Sequence, residues 1–356
     1  MSVPPVLEGI TVVQLGASTA ARYTAKLLLQ LGAEVLVASR GAETAPAESP
    51  DARTRRTAMA LFLDGGKVDR AMTLDEVAAC ADVVIRDDTW DLFATSPAEE
   101  LAALHAVNAA AVYAVLSPFG ASGPWAGRSG DDLAIQAAGA LSSQIGRPGE
   151  KPLSVPYEVG AITQGLHAAG AVMYALLLDP AYRPDAPIDV AGSDALASYT
   201  RMYTHIYTFY GAPAVRAGRR APGSGGQYPM TILPCADGHV VMMSRSRDEW
   251  RRYLDMMGSP AWSSDPELQD PALIARHHAD RMDELMSEWL STRTRADLAT
   301  LAQEYGVALA PLRDLSQVLA DDQLAYREFF QESPTASLRL PTFPARFTSS
   351  RPEEAT

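Results

Sequence analysis

The sequence predicts an α/β protein: a doubly wound parallel sheet first, then a smaller α+β region. Three observations carry this. Short apolar runs alternate with helix-forming segments from residue 10 to residue 117. A stretch rich in Gly, Pro and Arg interrupts the chain at 216–229. A hairpin pattern and a group of helices follow it.

Taken in order, "ITVVQLG" (10–16) reads as a strand ending in Gly16, and "ASTAARYTAKLLLQLG" after it favours helix through its Ala, Leu and Lys content. "AEVLVAS" (33–39) is a second strand, and strand, helix and strand make a right-handed βαβ unit. The alternation continues with "AMALFLD" (58–64) as strand, "TLDEVAACA" (73–81) as helix, "DVVIRD" (82–87) as strand, "PAEELAALHAVN" (97–108) as helix and "AVYAVLS" (111–117) as strand. Thr73 and Glu76 have capping-box spacing. Residues 117–152 form a Gly-, Ser- and Pro-rich loop with a helical patch near 131–141, read as functional rather than a plain connector. The nineteen residues from Gly160 to Leu178 carry no formal charge. Thr163, Gln164, His167 and three glycines within their first eleven positions make a buried helix, not a membrane span. "APIDVAGSDALASYTRMYTHIYTFYG" gives a short strand and a further helix.

Beyond the breaker-rich stretch, "MTILPCADGHVVMMS" (230–244) reads as a β-hairpin turning at Asp237-Gly238. Helices are expected at 247–257, 273–293 and 295–305, and the extended tail "SLRLPTFPARFTS" is expected to return to the body of the protein. The domain reading is therefore 1–215 as the large domain, 216–229 as linker, 230–310 as the small domain, and 311–356 returning to the large one.

Composition excludes several classes. A formal net charge of −13 disfavours a nucleic-acid partner. The N-terminus has no basic region followed by an apolar one and a cleavage site, so the expected location is cytoplasmic. Cys80 and Cys235, 155 positions apart, form neither a zinc motif nor a disulfide framework and are read as core thiols; no metal is expected. The first strand is followed by "GASTAA" instead of GxGxxG, and Arg40 stands where a dinucleotide site has an acidic residue, so NAD binding is not expected.

The ordered motifs "LEGITVVQLG…LLLQLGAEVLVAS", "ADVVIRD", "LSPFGASGPWAGRSGDDLAIQAAGAL", "GLHAAGAVMYALL", "CADGHVVM" and "GVALAPLRDLSQVLADDQLAYREFF" resemble the family III CoA-transferases. That family includes formyl-CoA transferase, a carnitine-pathway CoA-transferase and alpha-methylacyl-CoA racemase. The resemblance spans nearly the whole chain. It implies a Rossmann-like large domain, a smaller domain, ring-like subunits interlocked as a homodimer, and small-molecule acyl-CoA chemistry with no tightly bound cofactor.

The resemblance also implies a nucleophilic aspartate four residues before the Gly of the "GLH" segment, and that position here is Ala161. A methyl group is neither nucleophile nor base. In the racemase branch a histidine falls within "SGDDLA", where this chain has Asp131 followed by Asp132, and a further acidic residue corresponds to about Ser246. Of the basic coenzyme A contacts, Arg55 and Arg56 are kept in "RTRRTAMALFLD" and Arg40 is a further candidate, whereas "DTWDLF" replaces an FRPG-like turn. Three substitutes for the missing carboxylate are within reach. Glu158, three residues before Ala161, either reaches the same mouth or is a solvated loop residue. His167, six residues after it, either acts or packs. Asp131 and Asp132 repel one another, which raises the pKa of whichever is desolvated; otherwise Asp132 caps the next helix and Asp131 is solvated.

The expected function is proton-transfer chemistry (isomerisation, elimination or cyclisation) on an acyl thioester, using Asp131 with Glu158 or His167. The alternatives are a CoA-transferase working through Glu158 or a ternary complex, and a catalytically silent binding or scaffolding homologue.

Overall fold

The computed structural model describes residues 6–39, 50–90, 95–211, 216–220, 226–333 and 338–347. The chain divides into two compact units, one of 1–142, 154–200 and 322–356, the other of 143–153 and 201–321.

The first unit is built on a six-stranded, all-parallel sheet of β1 (Thr11–Leu15), β2 (Glu34–Ser39), β3 (Val68–Ala71), β4 (Val83–Asp87), β5 (Val112–Ser117) and β6 (Ile188–Ala191) in the order β3-β2-β1-β4-β5-β6. The order reverses between β1 and β4, which makes the carboxyl ends of those two strands the switch point where such sheets bind ligands. Alternate residues of each strand face opposite ways, and both faces are covered. On one face Val12, Val35, Ile85 and Ala114 pack with α1 (Thr19–Gln30) and, further along the chain, the long helix Val159–Leu177. On the other, Val13, Leu36, Val84 and Tyr113 pack beneath the helices Leu74–Cys80 and Pro97–Val107.

The expected strand at 58–64 is instead the end of α2 (Pro50–Asp64). A short apolar run does not distinguish a buried strand from a helix, and Ala, Met and Leu favour the latter. The third strand is "VDRA", whose four residues are all exposed, so it carries no apolar signature. Further helices of this unit are α3 (Leu74–Cys80), α4 (Pro97–Val107), α5 (Asp132–Ala138), α6 (Val159–Leu177) and α7 (Gly192–Tyr199), with a short one at Asp322–Tyr326. The Thr73–Glu76 capping box opens α3. Helices α1 and α6 meet closely because Gly165 has no side chain: a Cβ there would stand 2.7 Å from the Ala20 carbonyl. The Thr24 hydroxyl, buried between the two helices, donates to the carbonyls of Ala20 and Gly165 at 2.8 and 3.1 Å. The tail returns as an antiparallel pair, Phe330–Glu332 with Arg339–Pro341.

The second unit contains the three-stranded antiparallel sheet of Met230–Cys235, Gly238–Met243 and Ala308–Pro311, the first two joined at Ala236-Asp237. Its core gathers Trp250, Tyr253, Met282, Met286 and Leu298 from the helices that follow. The expected helix at 273–293 is broken at its start into a short turn and a wide-turned segment, with the regular helix running Ala279–Leu290. Neither cysteine is a core thiol: Cys80 is exposed and Cys235 half-buried. Among the described residues no helix is long and apolar enough to cross a membrane.

Candidate active site

A cleft of about 180 Å³ opens at the carboxyl ends of β1, β4 and β5. The β1–α1 turn contributes Ser18, Thr19 and Ala20, the end of β4 Asp88, and the end of β5 Leu116, Ser117 and Pro118. The start of α5 adds Asp131, Asp132 and Ile135, and the start of α6 adds Glu158, Ala161 and Gln164.

The β1–α1 turn is held by buried polar groups. Gly16 has φ +104°, and a Cβ there would stand 2.0 Å from an oxygen of Asp87, which is completely buried. The Asp87 carboxylate accepts from the Ser18 amide at 2.6 Å and from the Thr89 amide and hydroxyl at 2.9 and 2.5 Å. Gln14 donates to the Gly16 carbonyl at 2.9 Å. Lys67 in turn donates to Gln14 Oε1 and the Arg22 carbonyl, both at 2.8 Å, and to Asp64 at 3.1 Å. Burial holds the Lys67 ammonium down at about 8, against the pull of Asp64. This network fixes Thr19 at the first position of α1.

Thr19 donates its hydroxyl to the Glu158 carboxylate. Glu158 caps α6 through its backbone, without a side-chain capping bond. Tyr157 and Glu158 stand at φ +68° and +55°, a left-handed pair without glycine. Such a conformation costs of order 1–3 kcal/mol per residue and persists only where surrounding contacts impose it.

The two aspartates exchange the roles expected of them. Asp131, exposed, is the cap of α5 and accepts from the Ala134 amide at 3.0 Å. Asp132, half-buried, joins α5 to α6: one oxygen accepts from the Ala161 amide at 2.9 Å and the other from Gln136 at 2.5 Å. Gly160 leaves room for this, since a Cβ there would stand 2.9 Å from Asp132 Oδ1. Gln164 is 3% exposed and donates to the carbonyls of Ser117 and Val190 at 2.9 and 2.8 Å, pinning α6 to the ends of β5 and β6.

Of the residues named from sequence, Glu158, Asp131 and Asp132 thus come together around Ala161. His167 does not: it is exposed, its Nδ1 lies 2.8 Å from the Thr163 carbonyl, and it does not line the cleft. Arg40 lies outside the described residues; Arg55 and Arg56 fall on α2, with nothing described of their side chains. Sequence reasoning missed Thr19, Gln164 and Asp88. Desolvation and the adjoining Asp87 carboxylate hold Asp88 above the usual carboxylate range, although the residue as a whole is exposed. The available signal for Thr19 and Asp88 was position, since each follows a strand at the switch point.

A parallel sheet of this order with carboxylates at its switch point is the frame of an α/β enzyme. The family model for CoA-transferase family III matches residues 7–355, and the chain belongs to that family. It is 24% identical over 340 residues to the succinate–glutarate CoA-transferase of Agrobacterium fabrum, covering 91% of this chain and 84% of that protein. It is 28% identical over 338 residues to the succinyl-CoA:(R)-benzylsuccinate CoA-transferase subunit BbsE of Thauera aromatica, covering 87% and 79%. Its fold is similar to the crystal structure of a CAIB/BAIF family protein from Brucella suis, with TM-score 0.79 and 22% identity, covering 98% of this chain and 93% of that one.

Proposed function

We propose that this chain is a CoA-transferase, moving coenzyme A from an acyl-CoA to a carboxylic acid, with Glu158 as the attacking carboxylate. Both relatives are named for CoA transfer, which favours this reading over the proton-transfer chemistry expected from sequence. The observation that carries it is the position of Glu158, at the start of α6, in a cleft it shares with Ala161 and with Thr19 as its hydroxyl partner. The other carboxylate beside Ala161, Asp132, has both oxygens engaged in holding α5 to α6.

In the proposed reaction a Glu158 oxygen attacks the thioester carbonyl, the C–S bond breaks, and coenzyme A leaves as its thiolate. The thiolate attacks the glutamyl carbonyl of the mixed anhydride, releasing the first acid and leaving a glutamyl thioester. The second acid attacks that thioester, expelling the thiolate and forming a new anhydride. The returning thiolate takes the second acyl group and frees Glu158. The Thr19 hydroxyl orients the attacking carboxylate, and the positive end of α1, whose Thr19 and Ala20 line the cleft, favours the charge gained at each addition. We extend the proposal to a homodimer of interlocked subunits, which the exposed stripe of Leu166, Tyr174 and Leu177 on the charge-free α6 supports.

Incubation with an acyl-CoA and hydroxylamine tests the covalent route. Hydroxamate should form with the native protein and vanish in Glu158→Gln, in which the nucleophilic carboxylate becomes an amide. Turnover without hydroxamate would replace the covalent route by direct transfer in a ternary complex. A second reading is favoured by Ala161 together with the naming of one relative as a subunit: the chain is then the silent half of a pair. Under that reading the isolated protein shows neither hydroxamate nor turnover, and both appear on adding a second family chain that carries an aspartate at the position of Ala161.

A further inference from the structure

The β1–α1 turn carries Thr19 to the cleft, and one buried ammonium touches both flanks of that turn. Lys67, just before β3, has a side chain only 1% exposed. It donates to Gln14 Oε1 on β1 and to the Arg22 carbonyl on α1, each at 2.8 Å. Its third bond, at 3.1 Å, goes to Asp64 at the end of α2. An ammonium has three donors, so all are engaged. Gln14, 2% exposed, passes the contact on, since its amide nitrogen donates to the Gly16 carbonyl at 2.9 Å. From Gly16 the chain runs through Ser18, whose amide is held by Asp87 at 2.6 Å, to Thr19 and its Glu158 partner.

Without its extra proton the same side chain cannot make this set of contacts. A neutral amine has two N–H donors for the three acceptors and turns a lone pair towards one of them. The bonds it keeps also lose the charge that makes them roughly twice as strong. Burial, ahead of any neighbouring charge, brings the loss of that proton down to about 8. Asp64 favours the charged form, Arg22 and Lys26 of α1 oppose it, and β1 faces it with the uncharged Gln14. The Asp64 carboxylate also accepts from Arg22 Nε at 3.1 and 3.2 Å, so it keeps a cation when Lys67 is neutral. The Gln14 amide and the Arg22 carbonyl are the contacts that tie Lys67 to the turn.

We infer that Lys67 is a positioning residue: its ammonium clamps β1 to α1 across the turn, keeping the Thr19 hydroxyl on Glu158, and the clamp opens when the proton leaves. Lys67 itself lies away from the cleft and acts only through Gln14, Gly16 and Thr19. The effect on turnover rests on the transferase reading above; the effect on the turn does not.

Two measurements test this. The first reads the turn alone, by following the backbone amide resonances of Gly16 to Thr19 in isotope-labelled protein through a pH titration. They should shift together with a midpoint at about 8 in the native protein and stay in place in Lys67→Met, its folding checked by circular dichroism. The second reads turnover as hydroxamate formed from acetyl-CoA and hydroxylamine, less the rate without protein. In the native protein kcat should fall about 10- to 100-fold through the same midpoint, the scale of displacing a positioned group by about 1 Å, while KM for acetyl-CoA changes less than about twofold. Lys67→Met should hold the low value at every pH. Gln14→Leu removes the relay and leaves Lys67 in place; it should show the same loss, and the double variant should lose no more than either one. Should Lys67→Met fail to fold, Gln14→Leu takes its place in both measurements. Amides that do not titrate in the native protein, or that titrate alike in the variant, overturn the inference. So does a variant kcat equal to the native one, or a loss confined to KM. If the native protein forms no hydroxamate from acetyl-CoA, it is the covalent step of the proposed function that falls with this donor, and the amide titration alone decides the role of Lys67.

Discussion

Gly16→Ala should be among the most damaging single methyl additions in the chain. At φ +104° the backbone is outside the region an alanine tolerates, a strain of about 1–3 kcal/mol. The new methyl would also stand 2.0 Å from Asp87 Oδ1, far inside contact distance, and Asp87 is fully buried with three donors fixed on it. Moving that carboxylate enough to lose one donor costs roughly 1.5–3 kcal/mol, because the acceptor is charged. Together the loss is about 3–5 kcal/mol, a large share of the roughly 5–15 kcal/mol that holds a domain folded. Urea unfolding followed by circular dichroism would measure it, and the same substitution in an Asp87→Ala background separates the two causes. With the obstacle gone, only the strain should remain, leaving a coupling of about 2 kcal/mol. A Gly16→Ala protein within about 0.5 kcal/mol of the native one, or an equal cost in both backgrounds, would refute the role given to this contact.

Two further outcomes follow from the same network. Since Lys67 is held at about 8 instead of 10.5, the unfolded chain binds more protons between those values. Stability should therefore rise with pH across that window by up to about 3 kcal/mol, and the rise should disappear in Lys67→Met when unfolding midpoints are compared at pH 7.5 and 10. Asp132→Ala strips the acceptor from the Ala161 amide and from Gln136 and should lower stability by about 2–3 kcal/mol, whereas Asp132→Asn, keeping one acceptor, should cost about 1 kcal/mol or less by the same measurement.

The fold was legible wherever burial on one or two faces writes a periodic pattern. Strands β1, β2, β4 and β5 are apolar runs because both faces of the sheet are covered by helices, and the hairpin at 230–243 was expected where it lies, although its turn is Ala236-Asp237, one residue before the expected Asp237-Gly238, with Gly238 opening the second strand. The failures lie where that logic lapses. Strand β3 is an exposed edge made of "VDRA", so nothing apolar announced it, and the run at 58–64 was given its place. The aspartate pair was located correctly at the start of α5, but which member caps depends on where the Ala161 amide lies, a contact 29 residues distant.

Glu158 shows most clearly why the candidate site was only half legible. Its nearness to Ala161 is a matter of counting three residues, and sequence supplied that. Its aim into the cleft depends on two consecutive left-handed residues, Tyr157 and Glu158, neither of them the glycine that would mark such a bend. What holds the carboxylate in place is Thr19, 139 positions away. Thr19 is itself positioned by Asp87 beneath Gly16 and by Lys67 through Gln14. His167, by contrast, sits on the same helix as Ala161 and is close in sequence, yet it points to solvent because six residues carry it about 600° around the helix, to a face away from the cleft. Proximity along a helix is set by local geometry. Convergence on the cleft is set by buried polar contacts between distant strand ends, and those leave no periodic trace in the sequence.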